Sequence, residues 1–135
     1  MIYQLAILCV LVLATSSQPP GAGTDSDTEY EDLLWRMVPA INLLNLGEFY
    51  LIPIQIVNAT SQVAAGTIRR VTVLVGESTC ERNEMNISEV TKDGCPRKDG
   101  GNRALDLVVV FTQVFLNKET IVATKIRDVG ADEKF

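Results

Sequence analysis

After Gly47 the apolar rhythm of the chain changes from helical to β and does not change back, which leaves few folds open. Before that point Leu34, Met37, Ile41 and Leu44 recur at helical spacing, and Leu33 and Val38 widen the stripe. Thr28 and Glu31 form a capping box at its start, and Asn45-Leu46-Gly47 is the expected stop, with Gly47 able to take a left-handed cap. Pro39 removes a backbone donor, so the helix is expected to kink there; two short helices are the alternative. After Gly47 come four runs rich in β-branched and aromatic residues: Phe49–Thr60, Thr67–Val75, Leu105–Phe115 and Thr120–Val129. Pro53 marks the first as an edge strand or a bulge. Gln62–Gly66 and Asn117–Glu119 are short connections, whereas residues 81–103 are a long charged loop ending in Lys98-Asp99-Gly100-Gly101. Strands joined in this way form an antiparallel meander, and a helix with one apolar stripe must bury it on one sheet face. The expected fold is α+β: one N-terminal helix packed on a four-stranded antiparallel meander, five-stranded if the segment ahead of the helix adds a strand.

The amino end reads differently. Leu5–Ala14 is an unbroken apolar run too short to span a bilayer, and the small residues Ala14 and Ser16 suit the −3 and −1 positions of a signal-peptidase site. Residues 1–17 are therefore expected to be a signal peptide, residues 18–28 a flexible polar arm, and residues 29–135 a single domain. The chain is then secreted and extracellular. Its net charge of −5 argues against nucleic acid or an anionic membrane as the main partner. Cys9 goes with the signal, and Cys80 and Cys95 in an oxidising compartment read as one disulfide. Two free thiols or a metal site are the alternatives, but with no histidine two sulfurs do not complete a tetrahedral zinc site.

A catalytic centre is hard to assemble from this sequence. Without histidine, the usual base for a serine or cysteine nucleophile is missing. Glu31-Asp32 reads as a helix-dipole partner and not as an acid–base pair. Gly21-Ala22-Gly23 has no strand before it, so it is not a phosphate loop. Asp25, Asp27 and Glu29 alternate but lack the turn glycine of a calcium loop. No enzyme, metal or cofactor is expected. Asn58-Ala59-Thr60 and Asn86-Ile87-Ser88 are sequons, and Asn86, in the long loop, is the better glycan acceptor.

A helix, a meander, Gln62-Val63-Ala64-Ala65-Gly66 between its first two strands, and Cys80 with Cys95 together resemble the secreted type 2 cystatins. The pentapeptide is similar to the family's Gln-x-Val-x-Gly hairpin, and the cysteines stand like its first disulfide. Glu77-Ser78-Thr79-Cys80 and Leu116-Asn117-Lys118-Glu119-Thr120 resemble segments of tick salivary cystatins, which would imply a salivary, immunomodulatory setting. The resemblance implies a reversible inhibitor of papain-like cysteine peptidases, with cathepsins L, S, B and C as candidate targets. Its wedge would consist of the arm with Gly21 and Gly23, the first tip (Gln62, Val63, Ala64, Ala65, Gly66) and the second tip (Val114, Phe115, Leu116). It also implies a monomer that can pass to a domain-swapped dimer by straightening the Val63–Ala65 turn.

The departures are specific. Ala64 stands where the family usually has Val, and Val114-Phe115 stands where it has Pro-Trp. No cysteines flank the last hairpin, so the family's second disulfide is missing, and the arm's glycines lie closer to the helix than expected. Such changes would weaken binding or redirect it, leaving a non-inhibitory, immunomodulatory binding protein as the alternative. The legumain site that some cystatins carry after the helix would fall on Asn45, which lacks the usual Ser before it and Asp after it; that activity is not expected.

Overall fold

Pro39 divides the helical segment in two. In the computed structural model, which describes residues 27–63, 65–113 and 115–135, α1 spans Asp27–Arg36 and α2 spans Val38–Ile41. Pro39 thus lies in the first turn of α2, where a missing N–H costs nothing. The chain stays continuous through the break, because the Met37 N–H donates to Leu33 and Leu34 and the Met37 carbonyl accepts from Ile41. The two-helix alternative is the one realised. α1 begins at Asp27, one residue ahead of the expected cap.

Four strands follow: β1 Phe49–Val63, β2 Thr67–Glu81, β3 Arg103–Gln113 and β4 Lys118–Val129. They form one sheet in the order β1-β2-β3-β4, every pair antiparallel. The helix-on-meander fold is as expected from the sequence. Pro53 lies in the edge strand β1 beside a register shift, so its missing donor disturbs no central ladder. β2 runs six residues past its expected end. There the returning loop lies beside it, with the Thr79 and Lys98 N–H groups donating to Pro96 and Glu77 carbonyls.

The core follows the two periodicities. Leu33, Met37 and Ile41 form the buried helical seam, packed on Val71, Val73 and Val75 of β2 and Ala104, Val108 and Val110 of β3. Leu44, expected in that seam, is exposed instead, because α2 ends at Ile41 and the chain turns away. Gly47 is not a left-handed cap either; among the described residues positive φ occurs only at Gly100 and Asn117. Asn42 ends the helix. Its buried amide donates to Val38 and Leu51 carbonyls, and its oxygen accepts from the Leu51 N–H and the Asn45 amide, fastening the helix end to β1.

A second cluster joins Val38, Tyr50, Ile52, Val90 and Cys95 under the long loop, where Cys80 and Cys95 are disulfide-bonded with Cα atoms 5.5 Å apart. That loop also holds one 3₁₀ turn, Ile87–Glu89. After β4 the tail turns back. Arg103 of β3 donates to the Gly130 and Glu133 carbonyls, and Gln55 of β1 donates to the Phe135 carbonyl. Arg127 pairs with Glu133 and, through its side-chain hydrogen bond, holds that carboxyl down at about 2.

Candidate functional site

Strand register decides where the two hairpin turns go. Val63 pairs with Thr67, Thr67 with Thr112, and Gln113 with Lys118. The β1–β2 and β3–β4 turns therefore lie side by side at one end of the sheet. At that end Val63, Phe115 and Leu116 are 81, 96 and 69% exposed, an apolar rim of the kind a lone soluble domain rarely leaves uncovered. Phe115, expected to close a strand, lies instead in the turn Phe115–Asn117, because β3 ends at Gln113. Asn117 takes the left-handed conformation at φ 46°, which asparagine tolerates better than most residues.

Gly66 joins the two turns mechanically. It is buried, although its neighbours Ala65 and Val63 are exposed. A Cβ built on it would stand 2.4 Å from the Thr112 carbonyl oxygen, inside any tolerable contact. The first turn thus rests on the backbone of β3, one residue before the strand leads into the second turn. Gln62 is exposed, and its amide oxygen accepts from Arg70 on the neighbouring strand at 3.3 Å. Behind the second turn, Arg36 of α1 reaches Glu119 of β4 through two hydrogen bonds of 3.1 and 3.0 Å. Both side chains are substantially solvated, so this pair positions the hairpin more than it stabilises the fold.

Gly21, Gly23, Ala64 and Val114 lie outside the described residues, as do the expected signal peptide and nearly all of the arm. Asn45 does not present its side chain. Its amide donates to Asn42 and to the Phe49 carbonyl, and its oxygen accepts from the Gly47 N–H. An asparagine held by three internal hydrogen bonds is not offered to a partner. Asn58 is exposed within β1, and Asn86 is exposed ahead of the 3₁₀ turn, its own N–H held by the Glu89 carboxylate. Among the described residues no three His, Cys, Asp or Glu side chains converge enough to hold a metal ion. No helix among them is long and apolar enough to cross a membrane.

Sequence reasoning missed two polar groups. One is Asn42. The other is Ser78, fully buried, whose hydroxyl donates to the Tyr50 carbonyl and accepts from the Cys80 N–H. Neither stands out in the sequence, and only their burial and hydrogen bonds reveal the work they do.

No protein-family model matches the chain. It is 39% identical over 132 residues to cystatin cpi-1 of Caenorhabditis elegans, an alignment covering 96% of this chain and 95% of that one. Among solved structures it is similar in fold to a salivary cystatin from the soft tick Ornithodoros moubata, with TM-score 0.60 and 17% identity over 82% of this chain and 94% of that one. It is likewise similar to dimeric human cystatin F, with TM-score 0.58 and 17% identity over 84% and 97%.

Proposed function

The chain belongs to the cystatin family, and on that premise we propose that it is a secreted, reversible inhibitor of papain-like cysteine peptidases that works as a wedge. Cystatins are not enzymes but inhibitors of cysteine peptidases. In this reading the two turns enter the peptidase cleft, and the arm with Gly21 and Gly23 lies along the neighbouring subsites. The observation that carries it is the paired rim: Val63, Phe115 and Leu116 stand exposed at the end where both hairpins turn. A stiff antiparallel hairpin loses little entropy on docking, and a narrow tip built around Ala64, Ala65 and Gly66 suits a cleft. The Cys80–Cys95 disulfide suits an extracellular setting.

Purified mature protein titrated against cathepsins L, S, B and C tests the reading; no inhibition of any at about 10 μM overturns it. Phe115→Ala supplies the sharper version. An aromatic residue that is 96% exposed contributes little to the fold, so thermal stability should shift by no more than about 0.5 kcal/mol. As an interface anchor, the same residue should weaken inhibition by roughly tenfold or more. Ala64→Val, which restores the family's usual residue, is expected to tighten inhibition by up to about tenfold through added apolar contact. A Val variant indistinguishable from the parent would place that tip outside the cleft.

Ala64 and Phe115 favour a second reading, in which the fold is kept but cathepsin inhibition is lost in favour of an immunomodulatory partner. Failure of the whole panel by a folded, monodisperse protein would select it. The salivary setting that the tick-like segments implied belongs with that reading, although cystatin cpi-1 is a nematode protein. We read the chain as a monomer, with exchange through the Val63–Ala65 hinge as its route to a dimer.

A further inference from the structure

At the end of the sheet opposite the two turns, a cavity of about 310 Å³ opens between α2, the turn that follows it, and β1–β4. Its lining includes Ile41, Leu44, Leu51 and Ala123, together with Asp106. Strand alternation explains the position. Asp106 is in phase with Ala104, Val108 and Val110 on the helix-facing row of β3, opposite Val73. It is only 5% exposed.

The other charged groups around the cavity have partners. Lys125 pairs with Asp128 at 2.5 Å, Arg103 donates to the Gly130 and Glu133 carbonyls, and Glu77 accepts from the Asn102 N–H. Asp106 makes no side-chain hydrogen bond or ion pair among the described residues; Lys125 acts on it only at longer range. A buried carboxylate left this way is costly, and a charged donor entering from the cavity would remove the cost. A metal ion does not fit, since among the described residues no three suitable side chains converge there. Leucine, isoleucine and alanine walls call for an apolar body behind the charge.

We propose that this cavity is a binding site for a small primary ammonium carried on an apolar stem, with the ammonium on Asp106 and the stem against Ile41, Leu44, Leu51 and Ala123. The site lies away from the hairpin turns, so it is independent of the inhibitory role.

The probe is n-hexylammonium, with n-hexanol and n-hexanoate as equal-length controls, titrated into isotope-labelled full-length protein and followed by NMR. Hexylammonium is expected to move the methyl signals of Ile41, Leu44, Leu51 and Ala123 saturably, and to lower the pH at which the Asp106 carboxyl titrates. It should bind roughly tenfold tighter than hexanol, the value of one charge-assisted hydrogen bond, with hexanoate weakest. Asp106→Asn keeps shape and volume and should erase the preference for the amine. Peptidase inhibition, where present, should be unchanged by the amine. Equal shifts with all three probes would reduce the site to an apolar hollow and overturn the proposal, as would no shift with any. Should the Asn variant fold poorly, the carboxyl titration of the parent protein with and without hexylammonium decides alone; an unmoved titration is a refutation.

Discussion

Gly66→Ala is expected to weaken peptidase inhibition by more than about tenfold, and to lower stability by about 1–3 kcal/mol, although it adds a single methyl group. The methyl would stand 2.4 Å from the Thr112 carbonyl oxygen, with the Phe111 ring also in contact. A backbone carbonyl in a central strand cannot rotate away without breaking ladder bonds. The hairpin must therefore lift off β3, and the two turns must move apart. Enzyme titration measures the first effect and denaturant unfolding the second. Amide shifts at Thr112 and Gln113 would report the displacement in the other hairpin. An alanine variant that inhibits like the parent, with those amides unmoved, would mean the two turns do not act as one unit.

Removal of the disulfide should act in the opposite manner, large on stability and small on inhibition. Cys80→Ala with Cys95→Ala opens a loop whose ends are 15 residues apart in sequence. On the chain-entropy estimate this costs about 3 kcal/mol, and Cys95 is itself fully buried against Val38, Tyr50, Ile52 and Val90, so a cavity adds to it. For a domain of this size the melting temperature should fall on the order of 15 °C. Cys80 lies near the end of β2 remote from the turns, so below its melting transition the variant should inhibit like the parent. A thermal shift of only a few degrees would show that the cluster under the loop holds without the bond. A parallel loss of inhibition in the folded state would show that the loop reaches the site.

Much of the architecture was legible because two rules are strong. Helical spacing found Met37 and Ile41, and β-branched runs found all four strands with the right partners in order. The misreadings have local causes. Leu44 keeps the helical spacing but lies past Asn42, whose four side-chain hydrogen bonds end the helix early; nothing in a stripe count registers a buried amide. The second apolar run stops at Val75, yet β2 continues through Gly76-Glu77-Ser78-Thr79 because Ser78 satisfies itself on Tyr50 and the returning chain supplies a further neighbour. Phe115 reads as strand by composition, but the hairpin turn needs residues too, and β3 stops two positions earlier. Of the candidate site, the pairing of the turns followed from the meander alone. The dependence of Gly66 on Thr112 did not, since it is a contact between residues 46 apart in the chain. Asp106 did leave a trace. In Leu105-Asp106-Leu107-Val108-Val109-Val110 it shares its phase with the two valines that prove to be core.

The folded-back tail bears on how the protein is handled in the laboratory. Residues 130–135 leave β4, are gripped by Arg103 on β3, and finish against Gln55 on β1, so they lie like a belt over strands from both margins of the sheet. A purification handle fused behind Phe135 would pull on that belt, while one fused in front would crowd the arm assigned to the peptidase. A cleavable leader that leaves no scar is the fusion that disturbs neither.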